Sequence, residues 1–242
     1  MNDSEMTPRQ RRRKRRLEEI QSQAMQMVME EGIEKFSVNK LAGCLDLTPG
    51  ALYRYFDSRD AILAAVEIEV LEGFDAFFGE LENVEELKDR SEEGWGLKKL
   101  VILSMGYVAL PELQPERFRL ISLFVGGPDP ILDDSVAEEV VGPTLQVIRR
   151  FVMAVVDAQA DGSLSDGDAM QRAAIVWSSL QGLLTHKKLT RLAQVPLSPD
   201  KLFVELLRTL LVGWGAAPAA VEQAIEQKPT ITFYRQAMER SL

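Results

Sequence analysis

The 242-residue chain is 46% hydrophobic and 27% charged with a net charge of −9, the composition of an ordinary globular protein of one or two domains with a full core. One cysteine, Cys44, and one histidine, His186, exclude a disulfide framework, an HExxH-type site and any multi-Cys or multi-His metal cluster, so neither metal nor cofactor is expected. The longest apolar stretches, around residues 100–110 and 210–221, fall short of the roughly 18 residues of a membrane span, and no basic-then-apolar signal opens the chain, which points to a cytoplasmic protein.

Charge is unevenly placed. Residues 1–60 hold eleven bases and ten acids, a net of +1, whereas residues 61–242 hold seventeen and twenty-seven, a net of −10. Residues 9–16, RQRRRKRR, put seven bases in eight positions. Such a block repels itself and needs polyanions or water. Alone it fits a solvated tail, a nuclear-import tag or an arm for nucleic acid. Residues 1–15 are read as this arm.

From there the chain reads as almost all helix. Leu17, Ile20, Ala24, Met27 and Val28 make one amphipathic face, closed by Gly32. Ser37 is an expected N-cap for a short helix, Val38 to Leu45. Asp46-Leu47 turns, and Thr48 caps a second short helix with Pro49 at its first position. This helix ends near Tyr55-Phe56, and Asp57 or Ser58 caps a longer one to about Leu81. Residues 82–94 are an acidic connector. Residues 96–110 form an apolar helix stopped before Pro111, and 115–125 another, stopped at Gly126-Gly127-Pro128. Residues 129–143 read as loop with a helical turn. Helices follow at 144–160, 168–193 and 200–214, and weak helical signals at 219–227 and after Pro229.

Residues 37–59, SVNKLAGCLDLTPGALYRYFDSR, carry the functional signal. Val38, Leu41, Ala42 and Leu45 face inward from the first short helix, and Leu47, Leu52 and Phe56 from the second. Thr48, Gly50, Ala51, Tyr53, Arg54 and Tyr55 are left to point elsewhere. Small residues permit close approach, hydroxyls bond phosphates, and Arg can take guanine edges bidentately, which together suit a major groove. Tyr53 and Tyr55 could also simply pack. Cys44 reads as an inert helix residue and His186 as structural.

These residues resemble the TetR family of bacterial transcriptional regulators. The resemblance rests on Gly32, Phe36-Ser37-Val38, Leu41-Ala42, Leu45, Leu47-Thr48-Pro49-Gly50, Leu52-Tyr53-Arg54-Tyr55-Phe56, Ser58-Arg59 and Ile62-Leu63, covering about residues 16–65. It implies an all-α fold: an N-terminal three-helix helix-turn-helix DNA-binding domain (16–65), then a larger helical ligand-binding and dimerisation domain (66–217), with 218–242 as an extension of no assigned role. It implies that Ser37 and Asn39 begin a helix lying on the phosphate backbone. Thr48, Pro49, Gly50 and Ala51 would open the recognition helix, Tyr53 reach a phosphate, and Arg54 and Tyr55 lie near base edges. Arg59 holds the place of a frequent phosphate-binding Lys. Asp46 stands where Gly is usual, a turn position that Asp tolerates at positive φ. Beside such a domain the basic arm, with Arg11, Arg12 and Arg13, gains a DNA partner, as arms that enter minor grooves do.

The resemblance further implies a homodimer on a palindromic operator, released by a small hydrophobic effector. Helices 168–193 and 200–214 are apolar over too wide an arc for one neighbour, and Ala173, Trp177, Leu180, Leu184, Leu207, Leu211 and Trp214 are the expected seam. Met105, Tyr107, Phe118, Phe124, Phe151, Met153 and Trp177 are the expected effector pocket. The rival readings are a DNA-binding protein without an effector and a helical enzyme, the latter opposed by the absence of GxSxG, GxGxxG, Walker-type and metal-ligand motifs.

Overall fold

The computed structural model describes residues 7–83, 87, 89, 92–126, 132–185, 199–227 and 229–241, the side chains at 123–126, 185 and 199 excepted. Eleven α-helices and no strand occur among the described residues: α1 (Pro8–Glu31), α2 (Val38–Cys44), α3 (Pro49–Leu52), α4 (Arg59–Glu82), α5 (Trp95–Leu113), α6 (Pro115–Gly126), α7 (Asp134–Ala160), α8 (Ala169–Thr185), α9 (Pro199–Gly213), α10 (Pro218–Glu226) and α11 (Ile231–Ser241). His186 lies outside the described residues, as does the end of the expected helix 168–193. No helix among the described residues is long and apolar enough to cross a membrane.

The chain divides into two compact units, residues 1–71 with 116–142, and residues 72–115 with 143–242. In the first, Ile20, Ala24, Met27 and Val28 of α1 are buried with Ile33, Phe36, Val38, Leu41, Ala42 and Leu52. Ile62, Leu63 and Val66 of α4 and Phe118, Leu120 and Ile121 of α6 are buried in the same unit. Phe118, expected in an effector pocket, therefore belongs to the core of the N-terminal unit. The backbone N–H of Asp133 donates to the Asp60 carboxylate at 3.1 Å.

In the second unit α5 is the central helix, buried along nearly its whole length and in contact with α8, α10 and α11. A Cβ on Gly96 would come within 2.2 Å of the Ala158 backbone nitrogen, so only glycine lets α5 and α7 cross this closely. Asp161, just past α7, caps α5 by accepting from the Gly96 N–H at 2.8 Å. Residues 218–242 are no appendage: Val221, Ile225, Tyr234, Ala237 and Met238 are buried, and the Tyr234 hydroxyl donates to the Ile102 carbonyl at 3.4 Å.

Four boundaries differ from expectation. The second short helix ends at Leu52, not near Tyr55-Phe56. The first helix begins at Pro8, not near residue 17, because Thr7 and Gln10 form a reciprocal capping box with Pro8 at the first helical position; the basic run is helical rather than a loose arm. The α5 helix continues through Pro111 to Leu113. Near a helix end proline removes one backbone bond, and the burial of Ala109 and Leu110 favours the helical path. Likewise α7 starts at Asp134 and runs through Pro143, anchored on either side by the buried Val140 and Val147.

Candidate nucleic-acid interface

The turn between α2 and α3 is built from backbone hydrogen bonds. Leu47 N–H donates to the Ala42 carbonyl at 2.9 Å and Asp46 N–H to the Gly43 carbonyl at 3.3 Å, a Schellman closure that requires the residue after the C-cap Leu45 to be left-handed. That residue is Asp46, at φ +53°, as expected from the sequence. Thr48 then caps α3, its hydroxyl accepting from the Ala51 N–H at 3.2 Å. Leu52 is fully buried, which fixes how α3 is rotated.

With Leu52 inward, Thr48, Pro49, Gly50, Tyr53 and Arg54 are exposed, and Ala51 and Tyr55 half-buried. Tyr53 keeps 47% of its surface, among the largest exposed hydrophobics described. No atom lies within 4 Å of a Cβ built on Gly50, so this position offers bare backbone to whatever α3 meets. Asn39 and Lys40 are exposed on α2, Lys40 paired with Glu31. The surface thus combines hydroxyl, phenol, amide and guanidinium groups on one short helix and its neighbour.

Two expected members behave differently. Ser37 occupies the N-cap position of α2, but its hydroxyl makes no capping bond. Arg59 is half-buried and turned into its own unit. Its guanidinium donates to the Ile33 carbonyl at 3.1 Å, stacks over Phe36 and lies 3.3 Å from Asp60. Its geometry is that of a clasp between the α1–α2 link and α4.

The basic run enters the site by a route the sequence reading missed. The Arg13 guanidinium lies 5.8 Å from the centroid of the Tyr55 ring. Arg16 donates to the Leu45 carbonyl at 3.3 Å while pairing with Glu19 at 2.5 Å. The available signal was the spacing: Arg9, Arg13 and Arg16 continue the same face as Ile20, Ala24 and Met27.

In the second unit, part of the expected pocket comes together. Tyr107 and Phe151 are edge-to-face at 6.4 Å, and Phe151 meets Phe78 at 5.5 Å. The Tyr107 hydroxyl donates to Gln181 at 2.6 Å and is hydrogen-bonded by Trp177, while burial raises its pKa. Met105 is half-buried, and the Phe124 side chain lies outside the described residues. Met153 instead borders a charged groove of about 460 Å³ with Asp75, Glu82, Trp95, Lys99 and Asp157. There Arg150 bonds Asp75 at 2.6 and 2.9 Å and Glu82 at 2.7 Å, and Lys99 bonds Asp157 at 3.0 Å.

Five of the seven expected seam residues are buried within the chain. Ala173, Leu180, Leu184, Leu207 and Leu211 are buried, and α8 packs on both α9 and α5. Met170 and Ile175, 51% and 46% exposed, stand on the free side of α8 with Val212 on α9. Trp177 and Trp214 are half-buried.

Compared with known proteins, residues 20–66 match the family described as bacterial regulatory proteins, tetR family, and residues 101–210 match the tetracyclin repressor-like C-terminal domain. No curated protein matches in sequence. Among solved structures, RolR in complex with resorcinol superposes with a TM-score of 0.59 at 13% identity, over 91% of this chain and 98% of that one. AibR with isovaleryl coenzyme A and operator DNA gives 0.54 at 11% identity, over 81% and 98%. SmeT, the repressor of the Stenotrophomonas maltophilia multidrug efflux pump SmeDEF, gives 0.55 at 18% identity, over 88% and 92%. At these identities the likeness is one of fold.

Proposed function

Since the chain belongs to the TetR family of bacterial transcriptional regulators, we propose that it represses its target by binding a palindromic operator as a homodimer and is released by a small hydrophobic effector. The observation that carries this reading is the exposed surface of α3 and its flanking residues, where Gly50 on the helix, Thr48 at its N-cap and Tyr53 and Arg54 in the turn that follows are exposed around a helix oriented by the burial of Leu52. Thr48 and Tyr53 serve phosphates, and Arg54 a base edge. Ser37 and Asn39 serve the backbone beside them, and Tyr55 supports the end of the helix. A reader of this kind works on the chromosome, in the cytoplasm.

Two copies would meet through the free sides of α8 and α9, with Met170, Ile175 and Val212 in the seam. An isologous contact of this type matches two half-sites. The effector would enter near Tyr107, Phe151 and Trp177, where Gln181 and the buried phenol supply the polar contacts and aromatic rings the remainder. Resorcinol and isovaleryl coenzyme A in the complexes of RolR and AibR support a small ligand in this fold.

The test is a binding titration on duplexes selected from a random pool by the full-length protein. Arg54→Ala should cost roughly 1–3 kcal/mol and relax preference at one base pair, while Tyr53→Phe weakens selected and scrambled duplexes alike. Unchanged affinity and specificity in both variants would remove α3 from the interface.

A further inference from the structure

The basic run is a rigid element with two unlike sides, and only one of them faces α3. Arg9, Arg13 and Arg16 stand at spacings of four and three, continued by Ile20, Ala24 and Met27, so they extend the core-facing side of α1 beyond the end of the core. Two contacts fix where that side lies. Arg13 stacks on Tyr55, just past the C-terminal end of α3, and Arg16 donates to Leu45 in the turn before α3. Arg11 and Arg15 fall about half a turn away on the same helix and are exposed. The capping box between Thr7 and Gln10, with Pro8 at the first helical position, starts the helix ahead of the run, so these two sides do not exchange.

We propose that this side of α1 is a phosphate-binding rail for the duplex that α3 reads. Arg9 and Arg13 take backbone phosphates flanking the major-groove contact. Arg16, held by Leu45 and Glu19, is a positioning residue that sets the height of the helix above the turn. Arg11 and Arg15 take no part. The partner is a polyanionic duplex, recognised through its phosphates with no base readout. The remainder of the chain, net −10 over residues 61–242, repels such a partner, so the charge that holds it is concentrated on this rail. A stacked guanidinium keeps its N–H edge free for an anion, because the ring contacts only its face. The inference rests on the DNA-binding reading above and narrows the expected contacts Arg11, Arg12 and Arg13 to Arg13 together with Arg9.

The test compares two full-length double variants that remove equal charge, Arg9→Gln with Arg13→Gln, and Arg11→Gln with Arg15→Gln. Gln matches Arg closely in helix propensity, and all four positions are exposed, so both proteins should fold, as a thermal melt will report. Each is titrated at several salt concentrations on one duplex selected by the parent protein. Neutralising a phosphate contributes about 0.9 to the slope of log K against log salt. Two contacts per protomer in a dimer therefore predict a slope shallower by roughly 3–4 for the first variant, and a change below about 1 for the second. Equal losses in both would show an undirected cloud of charge and overturn the rail, as would no loss in either. If the parent selects no duplex, both the rail and the DNA reading fall; if it binds anionic vesicles instead, the partner is a membrane surface and the rail as proposed is wrong.

Discussion

Glu67, in the half of α4 that belongs to the N-terminal unit, shows how strongly one residue can depend on burial. It is 3% exposed, and desolvation pushes its carboxyl from an ordinary 4.5 up to about 7. The folded protein therefore holds a proton that the unfolded chain releases between those values, so this residue's contribution to stability falls as pH rises from about 4.5 to 7. Glu67→Gln should stabilise the protein at pH 8 by about 2–3 kcal/mol and change little at pH 4; urea unfolding at both values checks this, and an equal effect at the two would show that protonation is not the cause. Asp46 is the opposite case, where the sequence sufficed. Its positive φ follows from the turn alone, so Asp46→Gly should be tolerated, while Asp46→Val should cost about 1–2 kcal/mol by forcing a branched side chain into the left-handed region. A denaturant midpoint equal to wild type in the valine variant would count against the turn as described. Ser37 shows the limit of such local reading: position marks it as a cap, but the hydroxyl makes no capping bond, a choice of rotamer that sequence does not encode.

Helices were legible wherever a start or stop signal coincided with apolar periodicity, as at Thr48-Pro49 and Gly32. They were misread where prolines were weighted above burial. Pro111 and Pro143 both lie inside helices, since the loss of one backbone bond is smaller than the gain from keeping adjacent apolar turns packed. Thr7-Pro8-Arg9-Gln10 is the opposite case, a complete capping signature that starts a helix in a segment whose charge density alone suggests a solvated tail. The C-terminal helices give a test at this scale. Tyr234 is about 1% exposed and bonded to the α5 backbone, so Tyr234→Ala should cost about 3 kcal/mol or more, and removal of residues 229–242 should uncover α5 and abolish cooperative melting. A truncated protein with an unchanged melt would make α11 an accessory.

Assembly is a property of the whole molecule. The apolar stripes of α8 and α9 announce more burial than one neighbour can supply, but much of that burial occurs inside the protomer. Ile175→Asp should therefore give a monomeric mass by light scattering with native helicity by circular dichroism. Leu207→Asp, at a fully enclosed position, should unfold the protein instead. Retention of a dimer in the first variant, or a folded monomer in the second, would place the seam elsewhere.

The sequence by itself determined the helical class, the helix-turn-helix and its family, and the identity of the residues on α3, because those depend on caps, turn chemistry and spacing within a few residues. Tertiary structure decided what depends on distant segments. It buried five of the seven seam candidates within the chain, put Phe118 in the N-terminal core, turned Arg59 onto Ile33, and laid Arg13 over Tyr55. An apolar or cationic side chain declares that it needs a partner, but which partner it finds is settled only when segments far apart in the chain compete for the same surface.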